Sequence, residues 1–359
     1  QLGQAPFPLI VNEAVIISVS ELGLEAVNKG AQAYLLPCIA GHVGADTAGV
    51  VLAEAPHQSS EMTLLIDVGT NAEIVLGNKD RILACSSPTG PAFEGAQISC
   101  GQRAALGAIE RVRIDSDTLS PKFRIIGSDL WSDDPGFVEA TADFGVTGIC
   151  GSGIIEAVAE MFLAGLVTPA GLIDGKRFPD CPWLMPDGEV YSYRLHEGHT
   201  PVVISQTDIR AIQLAKAALY AGARLLMDTL GVQTPDRIVL AGAFGSYIDP
   251  KHAMIIGMIP DCPIEHVRAA GNAAGTGARI ALLNRTARAE IEELVRNIEK
   301  IETAVDPGFQ DSFVAAMSLP HSKHRFSSLE KLLELPVKKK TSKRTERPAE
   351  DISDQGKMK

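Results

Sequence analysis

A chain of 359 residues with few aromatics and 33 glycines has room for one large or two medium cores, and reads as an α/β protein whose helices pack closely on sheets. Its formal net charge of −11 excludes a nucleic-acid surface, which wants a basic stripe. No apolar run approaches the roughly 18 residues that span a bilayer and no signal peptide is visible, so a cytoplasmic protein without membrane contact is expected.

The chain opens at Gln1, and its first residues read as a loop with no strand before it, which points to a piece of a longer protein. Residues 11–20 alternate weakly, as a strand would, and 34–39 form a short apolar run. Asp46 reads as the N-cap of a compact helix over 47–54 with small residues on its packing face. Strands at 63–68 and 72–77 form a hairpin, and Gly77-Asn78-Lys79-Asp80 turns into a third strand over 81–86. A glycine-rich stretch over 88–108 and one or two strands within 109–126 follow. Gly145-Val146-Thr147-Gly148-Ile149-Cys150-Gly151-Ser152-Gly153 leads into an apolar-periodic helix over 154–164, and 168–200 reads as an irregular excursion rich in Pro, Gly and Asp. Thr207 and Asp208 cap a long helix from about Ile209 to Leu230, which Gly231 stops. A strand at 237–241, a helix near 250–256, a small-residue helix opening at 271–279 and an amphipathic helix over 286–297 complete the pattern. Beyond Pro336 the composition leaves almost nothing to bury and predicts disorder.

Two of these units can carry chemistry. Leu64-Leu65-Ile66-Asp67-Val68-Gly69-Thr70-Asn71 and Ile238-Val239-Leu240-Ala241-Gly242-Ala243-Phe244-Gly245 are both apolar strands that stop at a glycine-containing turn. Backbone N–H groups in such turns can face phosphate oxygens, because glycine lets the main chain approach closely. A carboxylate beside them, here Asp67, can hold Mg²⁺ through water or orient an attacking water. Gly151, Ser152 and Gly153 stand where a helix N-terminus favours an anion. Each has a plainer reading: a turn aspartate, an ordinary Asn/Gly hairpin, and glycines wanted for close helix–sheet contact. Glu73 reads as an outward-facing strand carboxylate, and Lys216 as a solvated helix residue, the adenine or ribose being its alternative contact. Cys38, Cys85, Cys100, Cys150, Cys181 and Cys262 are scattered with no CxxC pair, so free thiols are expected and no zinc or iron–sulfur site on this chain.

The order of small-residue helix, Asp-Gly-Thr hairpin, Gly-Ser-Gly helix start, strand with Gly-Ala-Phe-Gly turn and second small-residue helix resembles the second half of the actin-like ATPase fold. The strings LLIDVGTNAEIVLGN (64–78), SSPTGPAFEGAQISCGQRAALGAIE (86–110), GVTGICGSGIIEAVAEM (145–161), ISQTDIRAIQLAKAALYAG (204–222) and IVLAGAFGSYID (238–249) are similar to one group. That group is the actin-like ATPase (ASKHA) domain of reductive activators of corrinoid proteins, the RamA-like activators among them.

The resemblance implies an α/β, ribonuclease H-like fold of mixed sheets flanked by helices, with its first lobe incomplete. Residues 1–60 would be a remnant of that lobe with a connecting helix, 61–321 the second lobe with a subdomain inserted at about 86–200, and 322–359 a charged tail. It implies ATP and Mg²⁺ as ligands, with Asp67 as catalytic and metal-holding carboxylate. Gly69, Thr70 and Asn71 would face phosphate, Gly151, Ser152 and Gly153 the ribose and phosphates, and Gly242, Ala243, Phe244 and Gly245 the adenosine. A residue near the first connecting helix, Asp46 here, would help position water.

The implied activity is ATP-dependent return of a corrinoid methyl-transfer protein from Co(II) to Co(I), this chain supplying the ATPase part. The partners would be the corrinoid protein and an iron–sulfur electron donor, and a homodimer is compatible with the family. A 2Fe-2S or 4Fe-4S cluster would lie in a missing segment or a partner. Rival readings are a non-catalytic nucleotide-binding scaffold, an activator of 2-hydroxyacyl-CoA dehydratases and a small-molecule kinase.

Overall fold

The computed structural model describes residues 9–245 and 247–336; the expected N-terminal loop at 1–8 and the charged stretch beyond Pro336 lie outside the described residues. The chain starts with a two-stranded antiparallel sheet, β1 (Val15–Ser18) and β2 (Gln32–Leu35), and α1 (Ala45–Glu54). The meander β3 (Thr63–Val68), β4 (Ala72–Gly77) and β5 (Ile82–Ser87) then begins the main sheet. An excursion contains β6 (Ala108–Ile114), β7 (Pro121–Ile125), α2 (Phe137–Ala140), β8 (Gly148–Ile149), α3 (Gly151–Leu163), β9 (Leu184–Asp187), β10 (Val190–His196) and β11 (Val202–Ile204). The long α4 (Gln206–Leu230) returns the chain to the main sheet as β12 (Arg237–Ala241), followed by α5 (Gly242–Gly245) and α6 (Pro250–Ile255). Last come β13 (Val267–Gly271), α7 (Ala273–Leu283), α8 (Arg285–Asn297), β14 (Glu299–Lys300), α9 (Pro307–Ala316) and α10 (Ser327–Glu330).

The main sheet runs β13-β12-β3-β4-β5-β14, with β12 parallel to both its neighbours and the meander antiparallel. Its central strands read as near-continuous apolar runs because both faces are covered. Leu64, Ile66 and Val68 enter a core shared with Ile212, Leu219 and Leu226 of α4. Leu65, Val75, Ala84 and Val239 face the other way, into a second core with Val50 and Val51 of α1, Ala281 of α7 and Ile291 of α8.

Small residues set the approach of α1 and α7. A Cβ on Gly277 would stand 1.9 Å from the Gly49 carbonyl oxygen, and one on Gly49 would stand 2.9 Å from that of Ala274. On the other face, a Cβ on Gly222 of α4 would stand 2.8 Å from Ile74 Cδ1 of β4.

The long helix starts at Gln206, three residues earlier than the sequence predicts. Ser205 is the N-cap: its hydroxyl accepts from the Asp208 N–H, and the Asp208 carboxylate accepts from the Ser205 N–H at 2.8 Å. Asp208 therefore closes a capping box from inside the first turn, and Gly231 ends the helix in the left-handed region as predicted. Asp46 likewise sits inside the first turn of α1, not at its cap, which is Gly44.

Two other expectations change. The excursion at 168–200 contains the β9–β10 hairpin, because Tyr193 and Leu195 alternate into the core, and Tyr193 Oη donates to the Leu119 carbonyl at 2.7 Å. Within the stretch from 322 read as tail, Phe326 and Leu329 are buried in the main core.

Lys216 is the largest departure. It is fully buried, and Nζ donates to the carbonyls of Ser318 at 2.5 Å and Pro320 at 2.8 Å. It is neither a solvated helix residue nor a cleft residue; it ties α4 to the segment after α9. Burial lowers its pKa well below lysine's ordinary value, since desolvation disfavours the charged amine. Lys216→Met keeps the stem and strands two carbonyls, an expected loss of about 1–3 kcal/mol in urea unfolding. Because the folded pKa lies below the unfolded one, the wild-type chain gains stability as pH rises toward 10.5, and the deficit of the variant should widen over the same range.

Candidate nucleotide site

Strands β3 and β12 run parallel with Asp67 beside Ala241, so both glycine turns open at the same end of the sheet. Gly242 begins the second turn with φ of +91°, and a Cβ there would stand 2.5 Å from Asp67 Oδ1 and 3.2 Å from the Val68 carbonyl oxygen. Only glycine permits that contact. Asp67, Val68, Gly242 and Tyr247 line a cleft of about 600 Å³ with Cys150, Gly151 and Ser152 at the start of α3. Glu94, Arg103 and Glu110 line the same cleft.

The start of α3 owes its position to β8, which pairs parallel with β6 and leads directly into the helix. Its N-cap, Cys150, makes no side-chain cap hydrogen bond, so the terminal N–H groups of a 13-residue helix lack a side-chain partner at the cleft. Further along, α3 seals the open edge of β6: Glu156 accepts from Val112 N at 3.0 Å and Glu160 from Ile114 N at 3.2 Å. Arg111 Nη1 joins Glu156 at 2.8 Å to the Tyr247 carbonyl at 3.0 Å, which fastens the two cleft walls together.

The expected site residues divide. Asp67, Gly151, Ser152 and Gly242 share the cleft. Gly69, Thr70 and Asn71 form the hairpin connection above Asp67 and do not line it in this conformation. The tip is held from behind: Thr89 Oγ1 donates to the carbonyls of Gly69 at 2.8 Å and Thr70 at 3.0 Å, and Thr70 Oγ1 donates to Glu94 Oε1 at 2.6 Å. Gly153 packs instead of lining the site, since its Cβ would stand 2.2 Å from the Ile109 carbonyl oxygen. Ala243, Phe244 and Gly245 continue α5 behind Gly242. Glu94, Arg103, Glu110 and Tyr247 escaped the motif reading, although all four fall inside strings quoted above for their resemblance.

Three carboxylates meet near the open end of β3. Glu73 is paired directly opposite Asp67, on the sheet face covered by α1, and it is half-buried rather than outward-facing. Burial, then the charge of Asp46, push the Asp67 carboxyl up. The same two causes, with Asp67 adding and the Ser86 hydroxyl opposing, push Glu73 up to about 7. Because this folded pKa lies above the unfolded value, the stability it contributes is full below pH 4.5 and is lost as pH rises through about 7. Wild-type chain should therefore melt lower at pH 8 than at pH 5.5, by as much as about 2 kcal/mol of stability. Glu73→Gln should flatten that difference in scanning calorimetry, and an unchanged pH slope in the variant would count against this reading.

Oxygen donors, glycine turns without side chains and an uncapped helix N-terminus form a set that fits a phosphate ligand and a hard divalent cation. Fold and cleft together define an actin-like ATPase domain, a nucleotide-binding class. A family model described as the C-terminal domain of RACo, the ASKHA domain, matches residues 61–330, and one described as the RACo middle region matches residues 1–59. The chain belongs to this family of reductive activators of corrinoid proteins.

It is 35% identical over 325 residues to the corrinoid activation enzyme RamQ of Eubacterium limosum, covering 87% of this chain and 51% of that protein. It is 26% identical over 339 residues to the [Co(II) methylated amine-specific corrinoid protein] reductase of Methanosarcina barkeri, covering 91% of this chain and 58% of the other. A solved structure of a reductive activator for corrinoid, iron–sulfur protein superposes with a TM-score of 0.77 at 34% identity, over 90% of this chain and 50% of its own. The chain thus spans about half the length of the relatives it matches. Among the described residues, no helix is long and apolar enough to cross a membrane.

Proposed function

We propose that this chain is the ATP-binding and hydrolysing part of a reductive activator that returns a corrinoid methyl-transfer protein from Co(II) to Co(I). The observation that carries the reading is the meeting of Asp67, Gly242 and the α3 N-terminus in one cleft, in a chain related to RamQ along most of its length. Mg²⁺, when bound, supplies charge neutralisation at the phosphates. Asp67 holds the attacking water or the hydration shell of the cation. Glu73, with a carboxyl that titrates near 7, takes a proton from that water through Asp67 or a bridging water. Gly242 lets the backbone pass under the nucleoside, and the N–H groups of α3 receive phosphate oxygens.

The electron comes from an iron–sulfur centre outside this chain, on another segment or a partner. ATP drives a change of shape that opens the route to cobalt, and the corrinoid protein docks on the face that the change rearranges. The test is spectroscopic: in the full-length protein carrying this chain, with its reduced donor and a Co(II) corrinoid protein, ATP should bring up the Co(I) absorption. ADP release without cobalt reduction, or reduction indifferent to ATP, would overturn the proposal.

A further inference from the structure

Arg103 is the one basic residue among those lining the cleft, where Asp67, Glu94 and Glu110 are the acids. Two of these acids are engaged: Glu94 accepts from Thr70, and Glu110 lies 3.6 Å from Arg124. Arg103 is exposed to the cleft, and among the described residues it has no hydrogen bond or ion pair.

Its backbone position is tightly fixed nonetheless. Residues 100–102 run alongside β8: Ile149 N donates to the Cys100 carbonyl at 2.9 Å, and Gln102 N donates to the Ile149 carbonyl at 2.9 Å. The Gln102 side chain adds a third tie, Nε2 to Thr147 Oγ1 at 2.7 Å. Two glycines make the loop this tight, for a Cβ on Gly101 would stand 1.9 Å from the Gly95 carbonyl oxygen and Gly95 itself has φ of +82°. The strand that anchors Gln102 ends at Ile149, and the next residue, Cys150, is the N-cap of α3. An unpaired cation is thereby held in the cleft that the uncapped helix N-terminus also lines.

We propose that Arg103 is a phosphate-binding and specificity-determining residue, gripping the phosphates of the nucleotide together with the N-terminus of α3. This rests on the nucleotide reading of the cleft. A chain of net charge −11 with three carboxylates in its cleft repels a polyphosphate, so one cation there governs both affinity and the preference for more phosphates. Its guanidinium fork suits a phosphate better than a lysine ammonium does.

The test is calorimetric titration of wild type, Arg103→Ala and Arg103→Lys with AMP-PNP and with AMP, in Mg²⁺. Arg103→Ala should lose about 10- to 100-fold in affinity for AMP-PNP, lose less for AMP, and show a weaker salt dependence, with its melting temperature unchanged because the side chain is exposed. Arg103→Lys should fall between the two. Equal affinity of wild type and Arg103→Ala for AMP-PNP would overturn the inference and leave the nucleotide reading standing. An equal loss for AMP and AMP-PNP would also overturn it, because a purely structural contribution acts on both alike. Failure of wild type to bind either nucleotide would overturn the nucleotide reading and this inference with it.

Discussion

Asp67→Asn is expected to reduce ATP hydrolysis about 10²- to 10³-fold in the full-length protein, the usual scale for losing a preorganised charge at a reacting centre. The same variant should be at least as stable as wild type at pH 8. Asp67 is held above its ordinary pKa by burial and by Asp46, so its charged form is the strained one. Its folded pKa exceeds the unfolded value; the stability it lends is full at acid pH and lost as pH rises through the folded pKa. An amide, which never ionises, escapes that loss. Lower activity with equal or higher melting temperature is the expected pair of results, as for a residue whose geometry serves function at the expense of stability. Unchanged turnover would remove Asp67 from the site, and a collapse in melting temperature would make it a structural aspartate.

Gly277→Val is expected to have the largest effect on stability. The nearest atoms to any added Cβ are backbone, the carbonyl oxygen, carbon and Cα of Gly49 at 1.9, 2.5 and 2.6 Å, so no side-chain rotation relieves the clash. α1 and α7 must separate, which opens the second core around Val50, Val51 and Ala281. A loss of about 3 kcal/mol or more in chemical unfolding is expected, with Gly277→Ala smaller in the same direction. A variant within about 0.5 kcal/mol of wild type, the range of ordinary surface substitutions, would mean that the two helices do not cross as closely as described. Since Asp46 stands in the first turn of α1, the separation should also shift the titration of Glu73.

Much of this was legible in the sequence. The β3–β4 hairpin, the strand ending at Ala241, the small-residue helices and the Gly231 stop follow from local pattern and glycine chemistry, which act over a few residues. Asp67 and Gly242 could be placed on turns, but their contact depends on β12 pairing beside β3 across about 170 residues of chain, which no local rule supplies. Lys216 misled because a lone lysine on a helix is ordinarily solvated; its partners are carbonyls after α9, a segment with no periodicity to mark it. Gly153 carried a motif's spelling, yet its contact with the Ile109 carbonyl gives it a packing role. Arg103 and Tyr247 reach the cleft from loops, where side-chain pattern carries no positional information. The hairpin β9–β10 was hidden by its Pro- and Gly-rich surroundings, although Tyr191, Tyr193 and Leu195 alternate.

The central claim is that the cleft between the two glycine turns holds ATP. Its most direct test is isothermal titration of this chain with AMP-PNP and Mg²⁺, with Gly242→Ala beside it. Saturable binding at one site per chain, strongly weakened by a methyl group that would stand against Asp67, is the predicted result. A folded wild-type chain that releases no heat, or a Gly242→Ala variant that binds as well as wild type, would contradict the claim.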